Sequence, residues 1–420
     1  MSKNIKPCLV YADEKGNIYD EPELLMLCRQ GREIAPPRPD DLIPLPEESE
    51  LYLLPGRSAL GLDPNTGGME KVPMSAVAAF VSPGHTLSGI AAYATEPGAE
   101  KLPLFSYAAL GYARGRFWVT ARKVDEDKRQ VFTGIDNKGI EKGARDLLQK
   151  FPDNRLVSHL THCALTYCCP AAKNLALGRF ECPLPTARSC NAGCVGCISL
   201  QGKDSQFISP QNRIDFRPTP EEITQIMFAH AKKEKRPIFS FGQGCEGEPL
   251  LETDLLARAV RQYRRAGGPG TVNVNTNASL PESMEVLSRA GFDSIRVSLN
   301  SARPDIYHSY YRPRTYSFSD VRECIKKAKE NGLFVSLNYL YFPGINDTEP
   351  ELEALVELLN TFRVDFIQMR NLNLDPEIYL QLVGGETENE GRMGLKNFMK
   401  RVRKNCPWLE FGYFNPYLSG

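Results

Sequence analysis

Ser189-Cys190-Asn191-Ala192-Gly193-Cys194-Val195-Gly196-Cys197 sets three thiols in the spacing C-x3-C-x2-C, and the chain on either side is organised around it. A loop this short can wrap three thiolates around one metal centre, with Gly193 and Gly196 letting the backbone fold tightly and approach it. Iron–sulfur clusters usually take four thiolates, so a four-iron cluster held by three keeps one iron without a protein ligand. An open position of that kind marks a catalytic metal rather than a structural one. The competing reading is zinc. Zinc sites generally come as paired C-x2-C units or with His in fixed register, and no second unit of matching spacing follows.

Outward from the trio toward the C-terminus, the pattern alternates. Short β-branched or aromatic runs predict strands near 184–188 and at 236–241, 271–275, 294–299, 334–342 and 366–369. Helical patterns lie between them. Thr219-Pro220-Glu221-Glu222 is a helix start, with Thr219 as cap, Pro220 at the first position and Glu222 completing a capping box. The pattern at 319–330 stops at Asn331-Gly332. Such a repeat predicts an α/β fold, a parallel sheet covered by helices, whose site lies at the carboxyl ends of the strands. Those ends carry Asn275 and Asn277, Ser298 and Asn300, Asn338 and Tyr339, and Arg370 and Asn371. Each could equally form a turn or cap the next helix.

Toward the N-terminus the chain changes character. Pro and Gly break it into short apolar runs, such as 51–54 before Pro55-Gly56, 77–81 before Ser82-Pro83-Gly84, and 117–119. A strand-rich α+β accessory domain is expected over 1–160, with a helix at 142–150, then a connector at 161–182 that holds Cys and His residues. The core is expected over 183–375 and a C-terminal extension over 376–420.

The cysteine trio after the first strand of a parallel barrel resembles the signature of the radical S-adenosylmethionine (SAM) superfamily. Phe241-Gly242-Gln243-Gly244-Cys245-Glu246-Gly247-Glu248-Pro249, at the next strand end, resembles that family's Gly-Gly-Glu-Pro segment. Gly247, Glu248 and Pro249 match, and Glu246 replaces the first glycine. The resemblance covers 183–375 and implies a partial (β/α)6 TIM-like barrel. It implies a [4Fe-4S] cluster on Cys190, Cys194 and Cys197, with S-adenosyl-L-methionine chelating the open iron. Reductive cleavage would give a 5′-deoxyadenosyl radical that abstracts hydrogen from a substrate. It also implies that Gly247, Glu248 and Pro249 hold the SAM amino group and that Ser298 and Asn300 bind its ribose or carboxylate. Asn275 and Asn277 are further cofactor-binding candidates, and Ile198 would pack on adenine. Cys245, beside the Gly-Glu-Pro run, is a candidate hydrogen-atom donor; the alternative is a buried bystander. An electron donor such as flavodoxin or ferredoxin would be a partner. The substrate, a small molecule or a peptide, stays open, as does a non-catalytic iron–sulfur or zinc protein on a degenerate barrel.

Composition narrows the rest. Fifty-one basic residues balance 51 acidic ones, which gives no global attraction to nucleic acid or anionic membrane. No stretch reaches the roughly 18 to 20 apolar residues of a membrane span, and the N-terminus does not read as a signal peptide, so a cytoplasmic location is expected. His159, His162, Cys163, Cys168, Cys169 and Cys182 fall close together ahead of the core and could hold a second metal or an auxiliary cluster, but their spacing matches no recognisable motif, and buried cysteines acting as small hydrophobes are the alternative. If they lie on a strand, Cys168 and Cys169 point to opposite faces. Past the core only Cys406 remains, so the cysteine-rich tail of the peptide-maturing radical SAM subfamily is missing. No cobalamin-binding domain is recognisable either, which weighs against cobalamin-dependent methyl transfer.

Overall fold

A computed structural model describes residues 5–202, 205, 207–384 and 391–418. Its second half is a seven-stranded sheet: β1 (Glu181–Pro183), β2 (Ile238–Phe241), β3 (Thr271–Thr276), β4 (Ser294–Leu299), β5 (Phe334–Tyr341), β6 (Phe366–Asn371) and β7 (Glu410–Gly412). The strands pair in sequence order, each parallel to the next. Helices α1 (Pro220–Ala231), α2 (Thr253–Arg265), α3 (Ser283–Ala290), α4 (Pro304–Tyr311), α5 (Phe318–Glu330) and α6 (Glu349–Phe362) lie in the crossovers. This is the α/β half-barrel expected of parallel strands joined through helices.

Two boundaries differ from the sequence reading. The first strand is 181–183, and 184–188 has no regular structure. The last strand, 410–412, comes from the segment read as an extension, because three residues are too few to show a period. At the start of α1 both bonds of the capping box form: Glu222 N donates to Thr219 Oγ1 at 3.2 Å and Thr219 N to Glu222 Oε2 at 2.7 Å.

The strands alternate in chemistry as well as direction. Val272 and Val274, Ile295 and Val297, and Val335 and Leu337 turn to the helices. The other face carries Asn273, Asn275, Arg296, Ser298, Asn338, Gln368 and Arg370, so the concave side of the sheet is polar. Its deepest layer is cross-linked. Arg296 donates to Gln368 Oε1 at 3.0 Å, Gln368 to Asn415 Oδ1 at 2.8 Å, and Asn415 to Glu181 Oε1 at 2.7 Å. Asn415 follows β7 and Glu181 opens β1, so this chain of bonds joins the two unpaired edges of the sheet.

Residues 8–123 form an antiparallel sheet of twelve strands. Pro55-Gly56 does not end a strand, as its composition suggests. Strand Glu50–Leu62 runs through it with a register shift between Leu54 and Ser58, and Gly56 sits at φ +69. The pair makes a bulge that preserves pairing on both sides. Three helices (Asn137–Lys150, Arg155–Leu165 and Pro170–Leu177) follow before β1, so the Cys/His connector is helical rather than extended.

The antiparallel sheet is fastened to the carboxyl end of β6. Thr86 Oγ1 donates to Met369 O at 2.7 Å, Leu87 N to Asn371 Oδ1 at 2.9 Å, and Asn371 Nδ2 to His85 O at 3.0 Å. A buried ion pair, Arg57–Asp375 at 3.2 Å, adds to this, and Asp375 also accepts from Leu102 N at 2.8 Å.

Two predictions follow from these buried charges. Asp375→Ala leaves the Arg57 guanidinium buried without its counter-charge and is expected to cost about 3–5 kcal/mol in urea denaturation. Glu351, buried in α6, accepts bonds from Ser301 Oγ, from Ala302 N at 2.8 Å and from Tyr339 OH at 2.7 Å. Burial pushes its carboxyl from 4.5 up to about 7. The folded chain therefore holds this proton more tightly than the unfolded one. Glu351's stabilising contribution is complete below about pH 4.5 and is lost as pH rises through about 7. Across that window Glu351→Gln should flatten the fall in stability of the metal-free chain by a few kcal/mol, on the order of 3 at most.

Candidate active site

The cysteine loop crosses the carboxyl ends of β1 and β2 and is held at both ends. At its start it pairs edge to edge with the turn after β2: Gly247 N donates to Ala187 O at 2.7 Å and Glu248 N to Ser189 O at 2.9 Å. That approach requires glycine at 247, since a Cβ there would lie 1.9 Å from Ser189 O. Glu246 completes the junction. Its carboxylate accepts from Thr186 N at 2.7 Å, Ala187 N at 2.9 Å and Gln243 N at 2.6 Å. Burial raises its pKa and these backbone donors oppose the rise. The residue that departs from the Gly-Gly-Glu-Pro pattern is thus a clamp between the loop and the turn. At the far end, Gly193 N donates to Tyr311 O at 3.1 Å and Val195 N to Tyr310 O at 3.0 Å. A Cβ on Gly196 would meet the Tyr310 hydroxyl at 2.5 Å, whereas one on Gly193 would find its nearest neighbour at 3.6 Å. Of the two loop glycines, only Gly196 is demanded by contact.

Cys190, Cys194 and Cys197 line two adjoining cavities. The one inside the half-barrel, about 320 Å³, brings the trio together with Ile198, Gly247, Glu248, Pro249, Asn275, Asn277 and Ser298. The other, about 1000 Å³, opens outward past Arg188, Arg213, Arg312 and Arg314. No other cysteine of the described residues lines either cavity. Burial raises the Cys194 thiol, and charge on Cys190 and Cys197 would raise it further. Three adjacent thiolates are therefore unstable here without a cation among them. The donor set fits a cluster bound by three thiolates with one iron left for a ligand from the barrel side. Arg213 adds a charge-assisted contact to Cys197 Sγ at 3.4 Å.

Glu248 lies at the edge of the inner cavity and is itself buried. It accepts from Asn277 N at 2.8 Å, Leu250 N at 3.0 Å and Thr276 Oγ1. Burial nonetheless pushes its carboxyl up to about 7. Three donors leave one of about four lone-pair directions free. Asn277 and Asn275 have structural partners as well. Asn277 Nδ2 donates to Asn191 Oδ1 at 2.8 Å and Asn275 Nδ2 to Gly242 O at 3.0 Å. Asn191, the residue after the first cysteine, is thereby tied to the end of β3.

Two candidates lie elsewhere. Asn300 is fully buried, and its side chain donates to Ile306 O at 3.1 Å and Tyr379 OH at 3.2 Å, supporting the turn after β4 rather than lining the cavity. Cys245 turns away from the half-barrel into an apolar cluster with Ile140, Ala144 and Cys163. Its neighbours Gln243, Gly244 and Glu246 line the inner cavity, so within this turn Cys245 alone of 242–249 points the other way.

Other residues of the cavity escaped the sequence reading. Arg296, half-buried on β4, has a guanidinium Nε that is itself buried and has no hydrogen-bond partner among the described residues. Burial lowers its pKa to about 10, with Arg370 second in effect. It makes no ion pair among the described residues. The Tyr311 hydroxyl, also facing the cavity, is likewise unpartnered. The period-2 pattern Ser294-Ile295-Arg296-Val297-Ser298 was the available signal, since one polar face on a strand covered by helices must look into the barrel.

Comparison with known proteins agrees with this geometry. Residues 184–358 match the family model "Radical SAM superfamily". A GTP 3′,8-cyclase of Aquifex aeolicus is 30% identical over 161 residues, 38% of this chain and 47% of that one. A GTP 3′,8-cyclase of Streptomyces coelicolor is 34% identical over 173 residues, 39% of this chain and 46% of that one. The chain thus spans about half the length of the curated relatives it matches. Among solved structures, a radical SAM methyltransferase from Sphaerobacter thermophilus superposes with a TM-score of 0.39 at 17% identity, over 56% of this chain and 67% of that one. The matched segment contains the cysteine loop, the Gly-Glu-Pro turn and the parallel strands β2 to β5, and this segment is a radical SAM domain, the mark of a superfamily of enzymes that use a [4Fe-4S] cluster and SAM.

Proposed function

We propose that this chain cleaves SAM reductively at a cluster on Cys190, Cys194 and Cys197 and directs the radical at an anionic substrate in the half-barrel. The observation that supports it best is the meeting of the three thiols with Glu248 on one cavity, next to a half-buried arginine, Arg296, whose Nε has no hydrogen-bond partner among the described residues. When bound, the cluster supplies the electron that breaks the sulfonium bond, giving methionine and a 5′-deoxyadenosyl radical.

The chain's own residues bind, orient and exclude water. Glu248 offers its free lone pair to an ammonium group, a charge-assisted bond that also favours the ionised carboxylate. Ser298, Asn275 and Asn277 present short polar groups beside it, and Ile198 an apolar face. Arg213, against Cys197, stabilises negative charge on the thiolates. The polar floor layer keeps Arg296 in place, with Arg370 beside it. A buried guanidinium is costly unless paired, so this position suits a phosphate or carboxylate. GTP, named in the relatives' activity, is the first anion to test. On the outer side, Lys101, Arg188, Arg213, Arg312 and Arg314 form a cationic approach to the thiols, with no carboxylate among its described lining residues. That suits an acidic protein electron donor such as flavodoxin or ferredoxin.

Under anaerobic conditions with dithionite, the reconstituted full-length chain should convert SAM to 5′-deoxyadenosine and methionine. Replacing all three loop cysteines with alanine should remove iron and product together. Glu248→Gln should retain iron and raise the KM for SAM on the order of tenfold to a hundredfold, the worth of a charged hydrogen bond. Iron-loaded wild-type chain that forms no 5′-deoxyadenosine would refute the proposal. For the substrate, GTP is expected to accelerate 5′-deoxyadenosine formation in the wild type but not in Arg296→Gln. GTP inert toward the wild type would end that finer reading and leave SAM cleavage standing.

A further inference from the structure

Cys245 has neighbours that give it another role. His159 Nε2, Cys163 Sγ and Cys245 Sγ all lie within 4.8 Å of one another. The His159 ring nitrogen is 3.6 Å from Cys163 Sγ. Cys163 and Cys245 are buried at 1% and 6% exposure, while His159 reaches toward the surface and is packed edge-on against Phe216. His159 and Cys163 stand four residues apart on helix Arg155–Leu165, so they share one face. Cys245 comes from the turn after β2, more than eighty residues away in sequence. The surroundings are apolar: Ile140, Ala144, Ala164, Ala172 and Ala176.

The geometry points to a mononuclear metal site on His159, Cys163 and Cys245, separate from the cysteine loop and of the class that takes zinc. Two thiolates and an imidazole are a donor set of borderline softness, which suits a d10 divalent ion with no preferred geometry of its own. Binding releases the two thiol protons to solvent, and the two thiolate charges then balance the ion's. A closing of a few tenths of an ångström to one ångström brings the three donor atoms around a common centre, within the rotamer freedom of two cysteines and a histidine. The fourth position is left to Cys169 or to water. Cys169 starts the next helix, packs on the same apolar cluster and donates its N–H to Cys163 O at 3.1 Å. The site pins the connector helix to the turn whose next residues are Glu246, Gly247 and Glu248. Its role is to position that turn; none of its ligands lines the inner cavity.

The test uses full-length chain, purified without oxygen, given zinc sulfate and passed through gel filtration. Metal analysis should find one zinc per chain beside the cluster iron. X-ray absorption at the zinc edge should show sulfur at about 2.3 Å and nitrogen at about 2.0–2.1 Å. Three sulfurs would place Cys169 in the shell, and two would place water there. His159→Gln, a change at the half-exposed ligand, should weaken zinc retention at least about tenfold, and Cys163→Ser with Cys245→Ser should abolish it, both with the cluster iron unchanged. Unchanged iron shows that each variant is folded and separates this result from any failure of SAM cleavage. No zinc after filtration, zinc unaffected by the three substitutions, or a Cys163–Cys245 disulfide in the anaerobically purified chain would overturn the assignment.

Discussion

The constraint on which this molecule depends is that a parallel sheet with a polar inner face must satisfy nearly every polar group on it. Buried amides, hydroxyls and guanidinium groups are costly when unpaired, and backbone pairing does nothing for side chains. The chain meets the requirement with side-chain bonds along and across the strands. Asn273 donates to Asn275 Oδ1 at 2.7 Å, Ser294 to Asn273 Oδ1 at 2.8 Å, and the floor layer runs from Arg296 through Gln368 and Asn415 to Glu181. The exceptions are informative. Arg296 Nε and Tyr311 OH, buried atoms of two residues that line the inner cavity, have no hydrogen-bond partner among the described residues.

The same logic explains the carboxylates at the strand ends. Glu246 and Glu248 are adjacent but for one glycine, both buried, and turned to opposite tasks. Glu246 spends its lone pairs on backbone N–H groups of the cysteine loop, which fixes the loop's entry. Glu248 is held by the end of β3 and keeps one direction free toward the cavity. Gly247 between them lets the two backbones touch. A loop that must hold three thiols without a fourth gains its rigidity here from an internal carboxylate clamp on one side and from backbone bonds to the Tyr310-Tyr311 pair on the other.

The antiparallel sheet contributes to the site through β6. Asn371 lines the inner cavity, yet its side-chain oxygen and nitrogen are both committed to residues 85–87. The wall of the barrel mouth on that side is thus shared between the two halves, and the buried Arg57–Asp375 pair keeps them in one relation. Lys101, from the same N-terminal half, extends to the outer cavity.

Spacing and period made the cysteine trio and the strand–helix repeat legible, because each rests on local chemistry, thiol geometry in one loop and hydrophobic period. The capping box of α1 was readable for the same reason. The Gly-Glu-Pro turn was legible only through its resemblance to the family's segment. What only the tertiary structure decided concerns residues distant in sequence. It turned Cys245 away from the cavity and toward a histidine and cysteine on another helix, and gave Asn300 a structural partner in Tyr379. It made a bulge of Pro55-Gly56 and recruited three residues near the C-terminus as the seventh strand. It also set Arg296 where Glu181 reaches it only through Gln368 and Asn415 rather than as a direct ion pair. A side chain's direction and its partners depend on which elements pack together, and that packing is a property of the whole chain rather than of any stretch of it.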